Sequence, residues 1–516
     1  MQFRMNGSRI SRLNAATRAK MRPTSISNQS RYDQEKANPL NNDDICYLTA
    51  TEALELYRKR ELSPVELVEA QIRRAEMVEP TINAFTDTYF DEALQQAKAA
   101  EERYMRSDPR DLRPLDGIPL AVKDAQRVAG KRTTYGSLLF ADNVDEHSDP
   151  IIDRLVAAGA IIHARTTTPE FCLSGTCETR MWGKTRNPFN TGYGPGGSSG
   201  GSAASLAAGT SVLATGTDIG GSIRIPASCC GVVGYKPPKG RNPDGPPANF
   251  DPYNHCGPLA RSVADAALVQ NIVSGPHPLD HNSLRERVRL ADAVQPVNGL
   301  RVAWSMNLGY VQIATEVRRN TLAALDIFRE LGCIVEEVDL RWSSDCDRAA
   351  TAWYNAMHFG RQALWHAETR AALMTDYALA AAQSARTLAI DDIARSWETQ
   401  HAMYQSFGPM MESHDIFICP TAAIPAPSAD HNPLDQNFKI EGKKADPEYG
   451  WSLTHQFNML FNSPVMSLPS GRAETAVPTG IQVVGRTFDD PTVFRAALAY
   501  EHAVGGWFGP EARPKC

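Results

Sequence analysis

The sequence predicts an α/β fold, one large domain built around a mixed central β-sheet. Three observations predict it. Short apolar runs alternate with helical stretches along most of the 516 residues. No repeat of 20–50 residues stands out. No linker divides the globular part. Composition agrees: 42% hydrophobic and 22% charged residues are ordinary for a globular chain and exclude a largely disordered one. A chain this long buries a substantial core without disulfide or metal staples.

Residues 1–44 read as a flexible basic leader, and residues 45–510 as the folded domain. Arg4, Arg9, Arg12, Arg18, Lys20, Arg22 and Arg31 precede the first acidic residue, Asp33. An Arg-rich, Ser-containing, acid-free leader has the composition of an organelle transit peptide. The plainer reading is a disordered extension, or upstream sequence before a start at Met5 or Met21. Helices then begin. Thr49 and Thr51 can cap the first, with Ala53, Leu54, Leu56 and Tyr57 as its apolar face. Ser63-Pro64-Val65-Glu66 opens the second as a capping box with Pro at the first helical position. Glu92 to Met105 is the third. Strands are expected at Ile118–Val122, Ile161–Ala164, Val212–Thr215, Val302–Trp304, Ile334–Val338, Ile416–Cys419, Val465–Leu468 and Gly480–Val484. Helices are expected at Asp149–Ala158, Ser202–Ala208, Ser262–Val273 and Thr315–Leu331, and at length over Ala349–Phe407. The Pro/Gly/Asn-rich stretch Pro237–Gly257 reads as a long surface loop. The polar stretch Ser428–Tyr449 reads as another, placed to border a substrate entrance.

A net charge of −6 argues against a dedicated nucleic-acid binder. No run of 18 uncharged apolar residues occurs, so no membrane-inserting segment is expected. Ten cysteines are scattered without a Cys-x-x-Cys pair or zinc spacing, so neither a disulfide framework nor a metal site is expected. Cys229 and Cys230 are read as two free thiols. A reducing cytosol is the default compartment.

The densest anomaly is a pair of glycine-serine clusters between Gly192 and Ser222. Glycine clusters mark turns or close approach to a ligand. Gly192-Tyr-Gly194-Pro-Gly-Gly197 fits the dinucleotide fingerprint formally, and Asp218 stands where its acidic residue would, but the preceding strand is missing. Gly196-Gly-Ser198-Ser-Gly200 fits a nucleophile elbow and lacks the same strand. No Gly-Lys-Ser/Thr follows, so a P-loop is excluded. A third reading joins both clusters to Lys123, at the end of the apolar run Gly117–Lys123. Burial lowers a lysine's pKa and makes it a general base. A serine hydroxyl needs such a base to attack a carbonyl. Lys123, Ser198 and Ser222 then form one catalytic unit.

These segments resemble the amidase signature family of serine hydrolases. Gly-Gly-Ser-Ser-Gly-Gly-Ser and Gly-Thr-Asp-Ile-Gly-Gly-Ser-Ile-Arg-Ile-Pro, between Gly196 and Pro226, are similar to its defining stretch. Gly-Ile-Pro-Leu-Ala-Val-Lys-Asp at 117–124, Arg165-Thr-Thr-Thr-Pro-Glu-Phe171, Thr185-Arg-Asn-Pro188 and Gly234-Tyr-Lys-Pro237 match as well, as do Ser467-Leu-Pro, Gly480-Ile-Gln and Gly485-Arg. The resemblance runs from about Thr49 to about Ala503. It implies a mixed sheet covered by helices on both faces, and an enzyme that cleaves carboxamides, with esters or carbamates as further candidate substrates. Ser222 matches the nucleophile, Lys123 the base, and Ser198 the bridging serine, held in the family by a cis Gly197–Ser198 peptide. The family spaces the two serines 24 positions apart, which favours Ser198 over Ser199. The backbone N–H groups of Ile219, Gly220, Gly221 and Ser222 match the oxyanion hole. Ser199, Asp218 and Arg224 are supporting residues, the last two as an ion pair or hydrogen-bonded brace. No cofactor is implied. The expected partners are a small amide and water, with a monomer or homodimer as the assembly.

Departures are visible. Ala164 and Thr167 stand where the family commonly has Gly and Asn. Cys172 falls at an acyl-pocket position, where it either contacts substrate or fills the core as a small hydrophobe. A glutaminase subunit of a glutamine-dependent tRNA amidotransferase is the alternative, since its active chain shares the triad. There Ser-Ile-Arg-Gln-Pro is usual, against Ser222-Ile-Arg-Ile225-Pro here, and after Gly234-Tyr-Lys-Pro237 the residues Pro238-Lys-Gly240 stand where Thr-Tyr-Gly is expected. The pocket is expected from Glu337–Asn437 with Phe171, Met181 and Trp182. Trp353, Tyr354, Met357, Phe359, Trp365, Met403, Tyr404 and Phe407 are mostly core at helical spacings, some lining an apolar pocket suited to an arylamide.

Overall fold

The computed structural model describes residues 41–516 apart from 107, 109 and 110. The expectation for the leader lies outside the described residues up to 40; Asn42–Cys46 form a short helix capped by the Asn41 side chain. The next two helices start as their sequences require. Thr49 Oγ1 accepts the Glu52 N–H at 3.1 Å while Glu52 Oε2 accepts the Thr49 N–H at 2.8 Å. Ser63 and Glu66 repeat the exchange at 3.1 and 2.7 Å. Each cap is worth about 1 kcal/mol.

The strands, in chain order, begin with β1 (Phe85–Thr88), β2 (Pro119–Lys123) and β3 (Ile161–Thr166). A two-residue hairpin follows, β4 (Glu178–Thr179) and β5 (Gly183–Lys184). Then come β6 (Leu213–Asp218), β7 (Val233–Lys236), β8 (His255–Ala260), β9 (Arg301–Trp304), β10 (Ile334–Glu337) and β11 (Ile416–Pro420). A second hairpin, β12 (Lys439–Ile440) and β13 (Lys443–Lys444), precedes β14 (Val465–Arg472) and β15 (Pro478–Gly485). Eleven of them make one sheet in the order β1-β3-β2-β6-β8-β7-β14-β15-β11-β9-β10. It is mixed: β3, β2 and β6 run parallel, β11, β9 and β10 run parallel, and the strands between pair antiparallel. Helices flank this sheet. The central strands β2, β8 and β15 are buried along their whole length, as strands covered on both faces are.

Beside the two short hairpins, three strands of the large sheet lie outside the sequence expectations: β1, β7 and β8. The last two carry Gly234, Gly257 and Pro258, residues that argue against a strand unless close packing demands them. The expected surface loop Pro237–Gly257 is a correction. Most of it is buried, and it is held inward by Arg241, whose guanidinium pairs with Asp490 at 2.9 Å, both side chains nearly fully buried. Lys239 and Asn242 likewise donate to internal carbonyls, those of Asn254 and Cys256. The long helical stretch after 345 is four helices: Asp345–Met357, Phe359–Arg370, Asp376–Thr387 and Ile390–Glu412. Among the described residues, no helix is long and apolar enough to cross a membrane.

Candidate active site

Strands β2 and β6 are neighbours and parallel, with Leu120 opposite Leu213 and Ala121 opposite Ala214. That register brings Lys123, at the end of β2, beside Thr217 near the end of β6. The carboxyl ends of parallel strands are where α/β sheets place their ligand sites. Lys123 Nζ donates to Thr217 Oγ1 at 2.8 Å and to Ser198 Oγ at 2.6 Å. The lysine is fully buried. Among the described residues no carboxylate lies within 4 Å of its Nζ. Burial therefore pulls its pKa below the ordinary lysine value, opposed by the nearby Cys172, Cys177 and Asp218.

The chain reaches Ser198 through Gly196, at φ 77°, and the Gly197–Ser198 peptide is cis. A Cβ on Gly197 would stand 2.6 Å from the Ser174 carbonyl oxygen, so only glycine fits there. Ser199 then starts the buried helix Gly200–Ala207, and its N–H donates to the Ser222 carbonyl at 3.0 Å. That bond ties the first glycine cluster to the second. Ser222 is half-buried and opens on a cleft. Cys172, Ser174, Tyr354, Glu448 and Tyr449 share its wall. Among the described residues Ser222 Oγ has no hydrogen-bond partner, and its carbonyl alone is tied down.

Asp218 and Arg224 form the brace around the nucleophile turn. Asp218 Oδ1 accepts from Arg224 Nη2 at 2.9 Å and Oδ2 from Arg224 Nε at 3.0 Å. Arg224 also donates to Gln482 Oε1 and Asn458 Oδ1, each at 2.6 Å, and to the Thr454 carbonyl at 3.0 Å. Burial alone would raise the Asp218 carboxyl; the Arg224 guanidinium and the Asn458 amide outweigh it and hold it well below the carboxylate range. One expectation is corrected here. The Gly221 N–H, grouped with those of Ile219, Gly220 and Ser222 as an oxyanion donor, is committed to Asp218 Oδ1 at 2.9 Å. The carboxylate sits under the turn and captures the amide that points inward. The Ile219, Gly220 and Ser222 N–H groups have no acceptor among the described residues. Thr454 Oγ1 donates to the Gly220 carbonyl at 2.6 Å and so orients the intervening peptide.

Cys172 is on the cleft wall, and Phe171 and Cys172 both adopt left-handed backbone, at φ 54° and 61°. Its Sγ lies 3.3 Å from Thr168 Oγ1. The expected aromatic pocket is largely not there. Among the described side chains of that set, Tyr354 alone lines the cleft. Trp353 turns the other way, with its Nε1 donating to Asp251 at 3.0 Å and its ring 4.9 Å from Tyr253. Phe407 packs on Phe417 and Phe457, and Phe171 on Phe140 and His366. Met357, Trp365 and Tyr404 are exposed, and Met403 is core. Trp182 is bound to Thr134 through its Nε1. The side chain of Phe359 lies outside what is described. On an amphipathic helix only one stripe can face the cleft, and periodicity does not say which. Ser174, Glu448, Thr454, Asn458 and Gln482 were not foreseen. The signals toward them are that Glu448 and Tyr449 close the polar stretch expected to border an entrance, and that Gln482 ends the Gly480-Ile-Gln match.

A family model described as Amidase matches residues 66–494. An acylamidase of Rhodococcus erythropolis is 34% identical over 467 residues, covering 89% of this chain and 96% of that protein. The glutamyl-tRNA(Gln) amidotransferase of Synechococcus sp. (strain CC9605) has a subunit that is 33% identical, covering 86% of this chain and 94% of that protein. Among solved structures, a bacterial aryl acylamidase of the amidase signature enzymes superimposes with a TM-score of 0.82 at 28% identity, covering 89% of this chain and 96% of that one.

Proposed function

Because the chain belongs to the amidase family, we propose that it hydrolyses small carboxamides through an acyl-enzyme on Ser222. The observation that carries this is a buried lysine without a counter-ion, 2.6 Å from Ser198 Oγ, next to a serine open to a cleft. Neutral Lys123 takes the Ser198 proton as Ser198 takes the proton of Ser222. The Ser222 oxygen attacks the amide carbonyl, and the oxyanion is held by the N–H groups of Ile219, Gly220 and Ser222. The C–N bond breaks as the relay returns a proton to the leaving amine. Water then repeats the sequence on the ester and frees the acid. One oxyanion donor is worth roughly 3–4 kcal/mol in such sites. Asp218 and Arg224 brace the turn without touching substrate.

A glutaminase subunit would use the same residues. Glutamine carries an α-ammonium, which suits Glu448, and an α-carboxylate, which needs a cation; among the described residues lining the cleft no Lys, Arg or His supplies one. That favours a free-standing amidase. The test is a panel of a primary arylamide, an anilide, an aryl ester and an aryl carbamate, run with wild type and Ser222→Ala. Turnover by wild type that the variant loses supports the reading, and retained turnover in the variant overturns it.

A further inference from the structure

Glu448 is the unexplained group in the cleft. It stands at the end of the polar stretch 428–449 and shares the cleft wall with Ser222. Its Oε1 accepts the Gly175 N–H at 2.7 Å and its Oε2 the Ser174 hydroxyl at 3.2 Å. Among the described residues no Lys, Arg or His side chain lies within 4 Å of it. Two donors thus fix the carboxyl in one orientation, and each oxygen keeps a lone pair unspent. A fixed carboxyl without a counter-ion, in a cleft meant to receive a molecule, is a site for a cation brought by that molecule.

We propose that Glu448 makes the cleft selective for amides whose acyl chain carries an ammonium group, which its carboxylate binds as counter-ion. This rests on the reading of Ser222 as the nucleophile. The charges around Glu448 leave the role to it. Asp446 is a second negative group nearby. Tyr354, Tyr449 and Cys172 on the wall bring no positive charge. Lys123 is taken up by Ser198 and Thr217, and Arg224 by Asp218. Burial pushes the empty carboxyl up to about 8, against the pull of its two donors and with the help of Asp446. A bound cation therefore competes with a proton, and its affinity rises with pH as the carboxyl ionises.

The test uses butylammonium as probe, titrated calorimetrically into wild type and Glu448→Gln at about pH 6.5 and about pH 9. Wild type is expected to bind at least ~10-fold tighter at the higher pH. The variant is expected to bind weakly and without pH dependence. Ser174→Ala, which removes one donor and keeps the charge, is expected to move the wild-type pH midpoint upward and guards against a folding defect in the glutamine variant. In parallel, the ratio of kcat/KM for the 4-aminobutanoyl anilide over the isosteric pentanoyl anilide is expected to fall at least ~10-fold in Glu448→Gln. Equal, pH-independent ammonium binding in both proteins, or an unchanged ratio, overturns the inference. Absence of turnover with Glu448-dependent ammonium binding intact supports the cation site and counts against the Ser222 reading instead.

Discussion

Lys123 carries a heavy constraint for a single residue. Its ammonium would be buried with no carboxylate within reach, so the neutral amine is favoured. The rate is then expected to rise with pH as Lys123 loses its proton, with a midpoint below the ordinary lysine value; a kcat–pH profile checks it. Lys123→Ala should cost roughly 10²–10⁴ in kcat, the usual range for a lost general base, and should abolish that pH dependence. Arg224 makes a different claim. It is fully buried and saturates Asp218, Gln482, Asn458 and the Thr454 carbonyl. Arg224→Ala strands a buried carboxylate and is expected to cost about 3–5 kcal/mol of stability, measurable by urea unfolding.

The element that matters most is the turn between β6 and the helix Arg224–Cys230. Gly221 sits at φ 120°, and a Cβ there would collide with the Thr454 hydroxyl. Gly221→Ala is expected to displace both Thr454 and the Gly220 peptide it orients. Activity on the amide panel should fall by at least ~10² while most of the fold survives, checked by kcat alongside circular dichroism. The serines, the lysine and this turn were legible in the sequence because glycine is dense there and because a lysine ending an apolar run is costly. The helix Arg224–Cys230 was not, since every residue in it is buried and no amphipathic period marks it. Strands β7 and β8 were hidden by their own Gly and Pro. The inward amide of Gly221 was also hidden, because which of four adjacent N–H groups meets Asp218 depends on the turn's dihedrals and not on its residues.

Across the whole molecule the site draws on segments far apart in sequence, from Lys123 to Ser174, Ser222, Glu448 and Gln482. That separation is why the cleft wall was not legible. Its composition is decided by which loop ends pack together, and only the polar stretch before Tyr449 hinted at one of them. Burial has a second consequence at this scale. It pushes Glu79 and Asp244 up to about 7 and Glu448 and Glu501 up to about 8. Carboxyls raised on folding contribute stability that is fully present below their unfolded values and is lost as pH rises through the folded ones. Histidines such as His163 and His431, lowered by burial, oppose this as pH falls, so one carboxyl is isolated: Glu501→Gln is expected to lose less urea stability than wild type between about pH 5.5 and about pH 8.5. Asp218 does not blunt this trend, because its lowered carboxyl is ionised across that whole window. The nucleophile itself is tested most directly by reacting the protein with a fluorophosphonate and locating the adduct by peptide mass spectrometry. The adduct is expected on Ser222, with labelling lost in Ser222→Ala and slowed in Lys123→Ala. An adduct on Ser198 or elsewhere, or an amide-hydrolysing protein that takes no label, would contradict the assignment of Ser222.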